Sequence, residues 1–213
     1  MKDNVFFVSG IDTNVGKSYA TGYLAKTWNE QGVRTITQKF IQTGNVGMSE
    51  DIELHRKIMG TGLLPEDESG LTMPEIFTYP CSPHLAAEID HRPIDFDKIE
   101  KATRQLSETY DAVLLEGAGG LMVPLTRDLL TIDYVAQKNY PLIFVTSGEL
   151  GSINHTLLSL EAITRRGIRL HTVAYNLFPE EDDDIIRRDT EAYIRDLLAK
   201  EYPETHFVVI PKL

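Results

Sequence analysis

The sequence predicts an α/β protein whose mostly parallel sheet carries helices on both faces, on three observations. Short β-branched or aromatic runs alternate with longer helix-period segments along the chain. Several runs are apolar throughout, as strands buried on both faces of a parallel sheet must be. The 213 residues, 42% hydrophobic and 25% charged, suffice for one domain (1–213) that buries its own core.

The elements follow in order. Val5-Phe-Phe-Val opens the first strand (5–8), and a helix (17–31) follows a glycine-bounded loop. A second strand (34–39) ends at Lys39, and a helix (50–59) begins after Ser49. Residues 60–74, rich in Gly, Pro and acid, read as a surface loop that is either mobile or a cover over the active site. Strands are then expected at 75–79, 112–116, 142–146, 170–175 and 207–210. Helices are expected between them at 96–110, 132–138, 153–166 and 184–200. The acidic run 180–184 fits the first turn of the last helix, where negative charge suits the helix dipole. Strands joined through helices imply right-handed crossovers.

Composition excludes several functions. Lys and Arg number 21 against 32 Asp and Glu, a net charge of −11. That balance argues against nucleic acid as a partner. The N-terminal apolar run is too short for a signal segment, and nothing approaches a membrane span. The single cysteine, Cys81, has no internal partner and suits a reducing compartment. A cytoplasmic protein with no membrane partner is the expectation.

The strongest chemical signal is Ser9-Gly10-Ile-Asp-Thr-Asn-Val-Gly16-Lys17-Ser18, between a strand and a helix. Backbone N–H groups there, with the helix dipole, form a phosphate cradle. Lys17 would reach the β- and γ-phosphates and Ser18 would ligate Mg²⁺. The arrangement is that of a P-loop NTPase, although five residues separate the glycines where four are usual. A second strand ends in Glu116-Gly-Ala-Gly-Gly120, placing a carboxylate where such proteins meet the metal. Lys39 ends a strand on the ligand-binding edge of the sheet. Asp51 either caps its helix or joins Ser18 and Glu116 as an oxygen ligand of Mg²⁺.

Taken in chain order, the P-loop, Lys39…Thr43-Gly44, Ser82-Pro83-His84, Glu116-Gly-Ala-Gly-Gly120, Gly151-Ser-Ile-Asn154-His155 and Asn176 resemble the dethiobiotin synthetase family. The five-residue spacer matches that family. The resemblance implies a homodimeric, ATP- and Mg²⁺-dependent cyclo-ligase of biotin biosynthesis. Its substrates would be 7,8-diaminononanoate and CO₂ (or bicarbonate), and its products dethiobiotin, ADP and phosphate. It also implies roles. Lys39 would stabilise the carbamate and the transferring phosphoryl group, assisted by Lys17. Thr13, Asn14, Val15, Gly16, Lys17 and Ser18 would hold the triphosphate. Ser18, Asp51 and Glu116 would bind magnesium. Gly117, Ala118 and Gly119 would continue the nucleotide and carbamate wall, and Thr43 would contact the diamine. Asn176, with Pro211, Lys212 and Leu213, would meet adenine. Gly151, Ser152, Ile153 and Asn154 would seat the substrate carboxylate, supplied in the family by the partner subunit.

Three departures from the family set further expectations. The chain stops at Leu213, where relatives generally continue, so the adenine side would be more open. Phe40 stands where Pro is commoner, adding a backbone donor and a bulkier wall. Ser18 replaces Thr with little expected effect on ligation. His84 and His155 read as structural, Cys81 as inert, and His91 and His171 lack metal-ligand spacing. A nucleotide-switched assembly ATPase would want a lysine early in the P-loop, and a small-molecule kinase would want a basic lid; residues 10–14 and 60–74 contain neither Lys nor Arg.

Overall fold

Lys39 and Glu116 lie far apart in sequence, and the order of the strands brings them side by side. The computed structural model describes residues 4–178 and 183–212. Its elements run β1 (Val5–Gly10), α1 (Lys17–Glu30), β2 (Thr35–Lys39), β3 (Gln42–Thr43), α2 (Glu50–Met59), α3 (Pro65–Glu68), β4 (Ile76–Phe77) and α4 (Pro83–Ile89). They continue α5 (Phe96–Thr109), β5 (Ala112–Gly120), α6 (Thr131–Lys138), β6 (Leu142–Ser147), α7 (Ser152–Arg165), β7 (Leu170–Asn176), α8 (Asp184–Glu201) and β8 (His206–Ile210). The main sheet has the order β2-β5-β1-β6-β7-β8, and every adjacent pair is parallel. The predicted strand 75–79 shortens to β4, which pairs only with β3 in a separate two-stranded sheet.

Alternate strand residues face opposite layers. Phe7, Val113, Leu115 and Phe144 pack with Ile99 and Leu106 of α5, Ile132 and Val135 of α6, and Leu160 and Ile163 of α7. Val8, Leu114, Ile143 and Val145 pack with Ala20, Leu24 and Ala25 of α1. Helices therefore cover both faces, as the apolar runs required. The expected α/β fold, a parallel main sheet with helices on both faces, is present. No helix among the described residues is long and apolar enough to cross a membrane.

Two expectations change. Residues 60–74 do not cover the active site: none of them lines the main cleft. They pack on the outer edge of β2, where Thr72 O accepts the Lys39 N–H at 2.7 Å and Leu71 O accepts Gln38 Nε2 at 3.2 Å. The anchor is a buried ion pair in which Arg56 Nε and Nη2 donate to Asp67 at 2.7 and 2.8 Å. Thr72 Oγ1 and the Leu64 N–H donate to the same carboxylate at 2.7 and 2.8 Å. Phe40 is likewise no cleft wall. One residue past Lys39, it points to the opposite layer, fully buried against Phe7, Phe96 and Tyr134. Its extra backbone donor is used, reaching Glu116 O at 2.8 Å.

The acidic run 180–184 lies mostly outside the described residues; Asp183, which is described, caps α8 by accepting from the Ile185 and Ile186 N–H groups.

Candidate active site

The phosphate loop is shaped by what surrounds its glycines. A Cβ on Gly10 would come within 2.7 Å of Val15 Cγ1 and 2.9 Å of Val145 O, so only glycine lets the loop fold back there. Gly16 has φ +82 and caps α1 without a side chain, and a Cβ on it would meet Asn176 Nδ2 at 2.1 Å. Gly16→Ala is expected to abolish nucleotide binding while sparing most of the core, checked by calorimetric titration with ATP beside a thermal melt.

Lys17 Nζ donates to Asp12 O at 2.8 Å and Thr13 O at 3.1 Å, curled over its own loop. Burial, then the nearby Lys39, lowers its pKa to about 8, although Glu116 and Asp51 pull the other way.

The register pairs Lys39 on β2 with Glu116 on β5. Both face the layer covered by α1 and α2, at the carboxyl end of the sheet. Lys39 Nζ lies 2.8 Å from Glu116 Oε1, 2.5 Å from Asp51 Oδ2 and 3.2 Å from Gly117 O. Ser18 Oγ sits 2.6 Å from Asp51 Oδ1 and 2.9 Å from Glu116 Oε1. Ser49, not Asp51, caps α2, accepting the Ile52 N–H at 3.2 Å. The Asp51 carboxylate is thereby left to the cluster.

Burial alone would raise the Glu116 pKa and lower that of Lys39. For Glu116, Lys39 and His55 overcome burial and hold the carboxyl well below its usual range. For Lys39, Glu116 and Asp51 overcome burial and raise the ammonium above its usual range. Both groups are charged in the folded protein.

Among the described residues, no three His, Cys, Asp or Glu side chains group as a metal cage. Ser18, Asp51 and Glu116 offer two carboxylates and a hydroxyl instead. Those hard oxygen donors, converging within hydrogen-bond distance, suit Mg²⁺, which keeps several waters and takes few protein ligands.

These groups line a cleft of about 920 Å³, together with Thr13, Asn14, Thr43, Ala118, Gly119, Cys81 and Phe178. Other expected residues lie behind it. Val15 packs its side chain into the α1 layer, and Gly117 is held against the Phe7 ring, which a Cβ would approach to 2.9 Å. Asn176 is buried, its Nδ2 donating to Val15 O at 2.9 Å and its Oδ1 accepting the Phe178 N–H at 3.2 Å. It fixes the loop and does not line the cleft. Pro211 and Lys212 follow β8 away from the lining, and Leu213 lies outside the described residues. Gly151, Ser152, Ile153 and Asn154 open α7, also away from the lining of their own chain's cleft. Ser152 Oγ is 2.9 Å from Ser147 Oγ, whereas Gly151 and Asn154 are exposed.

His84 Nδ1 lies 3.1 Å from Ser82 Oγ, in keeping with a structural role. His155 is exposed, so the packing expected of it is absent. The Cys81 thiol is pushed above its ordinary pKa by burial and then Asp90, which keeps it a poor nucleophile.

The sequence reading missed His55 and Thr37. His55 is fully buried, with Nε2 2.9 Å from Glu116 Oε2 and Nδ1 3.1 Å from Thr37 Oγ1. Spacing held a clue to both. His55 follows Asp51 by four residues on one helix face, and Thr37 precedes Lys39 by two on one strand face.

A family model described as an AAA domain matches residues 4–213. The chain is 52% identical over 206 residues to the ATP-dependent dethiobiotin synthetase BioD 2 of Pasteurella multocida, covering 97% of this chain and 96% of that one. It is 56% identical over 184 residues to the protein of the same name from Haemophilus influenzae, covering 86% and 96%. Among solved structures it resembles the MinC:MinD cell division protein complex of Aquifex aeolicus. There the TM-score is 0.58 at 12% identity, over 99% of this chain and 82% of that one. That last likeness is one of fold alone.

Proposed function

This chain belongs to the ATP-dependent dethiobiotin synthetase family, and from that premise we propose how its cleft performs the family reaction. The protein is an ATP-dependent ligase of biotin biosynthesis that closes a ureido ring on 7,8-diaminononanoate with CO₂. One amine adds to CO₂ and loses a proton to give a carbamate, whose oxygen attacks the γ-phosphorus as ADP leaves. The second amine then attacks the carbamate carbonyl, closing the ring and expelling phosphate. Negative charge accumulates in both steps, so fixed cations and backbone donors do more than any nucleophilic side chain.

The observation that carries this reading is the convergence of Lys39, Ser18, Asp51 and Glu116 beside the phosphate loop. The loop amides and Lys17 hold the triphosphate. Lys39 faces the carbamate and the transferring phosphoryl group, and Thr43 orients the diamine. Ser18, Asp51 and Glu116 would hold Mg²⁺, which when bound would neutralise charge on the triphosphate. Asn176 serves the nucleotide by fixing the loop at Val15. A cytoplasmic setting fits the single cysteine.

Phosphate release should require both the diamine and bicarbonate. Equal release without the diamine would instead point to a nucleotide-switched ATPase. Asp51→Asn should raise the Mg²⁺ concentration needed for nucleotide binding by ~10-fold or more. An unchanged requirement in a calorimetric titration would remove Asp51 from the metal site.

The diamine's carboxylate lies roughly a dozen ångströms from its amines when the chain is extended. Residues 151–154 do not line their own cleft, so the α7 N-terminus is proposed to receive that carboxylate from the other subunit of a homodimer. Lys39→Ala mixed with Asn154→Asp should then partly regain activity, since one site of a mixed dimer escapes both changes. No recovery, with subunit exchange verified, would place the whole site in one chain.

A further inference from the structure

The two oxygens of Glu116 have different neighbours. Oε1 lies against Lys39 and Ser18 in the cleft cluster, and Oε2 faces His55 Nε2 at 2.9 Å. His55 is wholly buried, as are Arg56 and Thr37 around it. An imidazole is costly to bury unless both nitrogens find partners, and an aliphatic side chain would fill the same space without that cost.

The hydrogen bonds give this chain a direction. Arg56 Nη1 donates to Thr37 Oγ1 at 2.9 Å, and a guanidinium can only donate. Thr37 Oγ1 keeps a proton that it can donate to His55 Nδ1, 3.1 Å away. A carboxylate oxygen only accepts, so Nε2, 2.9 Å from Glu116 Oε2, is the nitrogen that donates to it. Arg56 is itself fixed by Asp67, so the relay starts from a rigid point.

We propose that His55, oriented by Thr37, is a positioning residue for the metal site: it ties down Glu116 Oε2 so that Oε1 alone is presented to Ser18 and Mg²⁺. This rests on the reading of Ser18, Asp51 and Glu116 as the Mg²⁺ seat. Without a donor at position 55, Oε2 is left buried and unsatisfied. The carboxylate then gains by turning that oxygen toward Lys39, and the cluster loses its shape.

The test is binding of the Mg²⁺ complex of a non-hydrolysable ATP analogue, followed by calorimetry across a Mg²⁺ series, with a melt to verify folding. Glutamine carries its Nε2 the same number of bonds from the backbone as histidine does. His55→Leu should weaken Mg²⁺-dependent binding by ~10-fold or more, and His55→Gln should stay within ~3-fold of the parent. Thr37→Val should fall between them, and it decides the matter if His55→Leu does not fold. Glu116→Gln serves as reference. If it loses the Mg²⁺ dependence but His55→Leu, or Thr37→Val in its place, keeps the parental value, His55 does not position the carboxylate. A His55→Gln as weak as His55→Leu would show that ring shape, and not the hydrogen bond, matters, overturning the inference. Parental Mg²⁺ dependence in Glu116→Gln would remove the metal seat itself, and the inference with it.

Discussion

Lys39→Ala is expected to cut ATP-dependent ring closure by on the order of 10³-fold while leaving nucleotide binding in place. The lysine ends a buried edge strand with its ammonium between Glu116 and Asp51, and its β2 backbone bonds do not depend on the side chain. Removing it takes away the positive charge that bridges both carboxylates at the reaction centre. Nucleotide should still bind through Lys17 and the loop amides, so the loss should appear in kcat far more than in the KM for ATP. Lys17→Ala should do the opposite first, weakening ATP binding. Lys39→Met separates charge from bulk, because it keeps most of the stem. Near-parental turnover in either Lys39 variant, measured as dethiobiotin formed per enzyme, would remove Lys39 from the chemistry.

The largest effect on stability is expected at Arg56. Breaking a buried ion pair by removing one partner costs about 3–5 kcal/mol, because the other charge stays buried without compensation. Arg56→Met should therefore lower the melting temperature by roughly 10 °C in a chain of this size. The joint replacement Arg56→Met with Asp67→Leu should recover part of that loss, since neither charge is then stranded. Asp67 also gives the stability an acid limb. Burial pushes its carboxyl up, and the bonds from Arg56, Thr72 and Leu64 more than reverse this, leaving it below the ordinary range. A depressed folded value means the contribution is complete above the unfolded pKa, about 3.9, and is lost as pH falls through the folded one. Asp67→Asn should accordingly flatten the fall in stability below about pH 4. An unaltered acid limb in denaturant titrations would assign that fall to other carboxylates.

The main-sheet strands were legible because parallel strands covered on both faces must be apolar along their length, and 112–116 or 142–146 could be little else. β3 was not, since a two-residue strand carries no period to read, and only two residues of the expected strand 75–79 form β4. Local pattern also placed Lys39 and Glu116 at strand ends and Ser18 at a helix start. It could not show that Glu116 meets His55, because that contact joins residues 61 apart through the order of the strands. The alternation that sets Thr37 and Lys39 on one face sends Phe40 to the other, which explains why Phe40 belongs to the core and not to the cleft. The segment 60–74 lies at the surface as its composition suggests, with most of 60–70 exposed or half-buried; composition did not show that one buried carboxylate, Asp67, fastens it to Arg56 and away from the cleft.

The strand order also constrains the sequence of events as the polypeptide emerges from a ribosome. β1 and β2 are the first two main-sheet strands made, yet they are not neighbours; β5 lies between them, and β6 flanks β1 on its other side. Until Ala112–Gly120 has been synthesised, neither early strand has a partner in the main sheet, and the apolar run of β1 must wait. Loop closure over such separations is slow, and unpaired apolar strands are the species most prone to aggregate. Insertion of β5 is thus the event that joins phosphate loop, lysine and carboxylate at once.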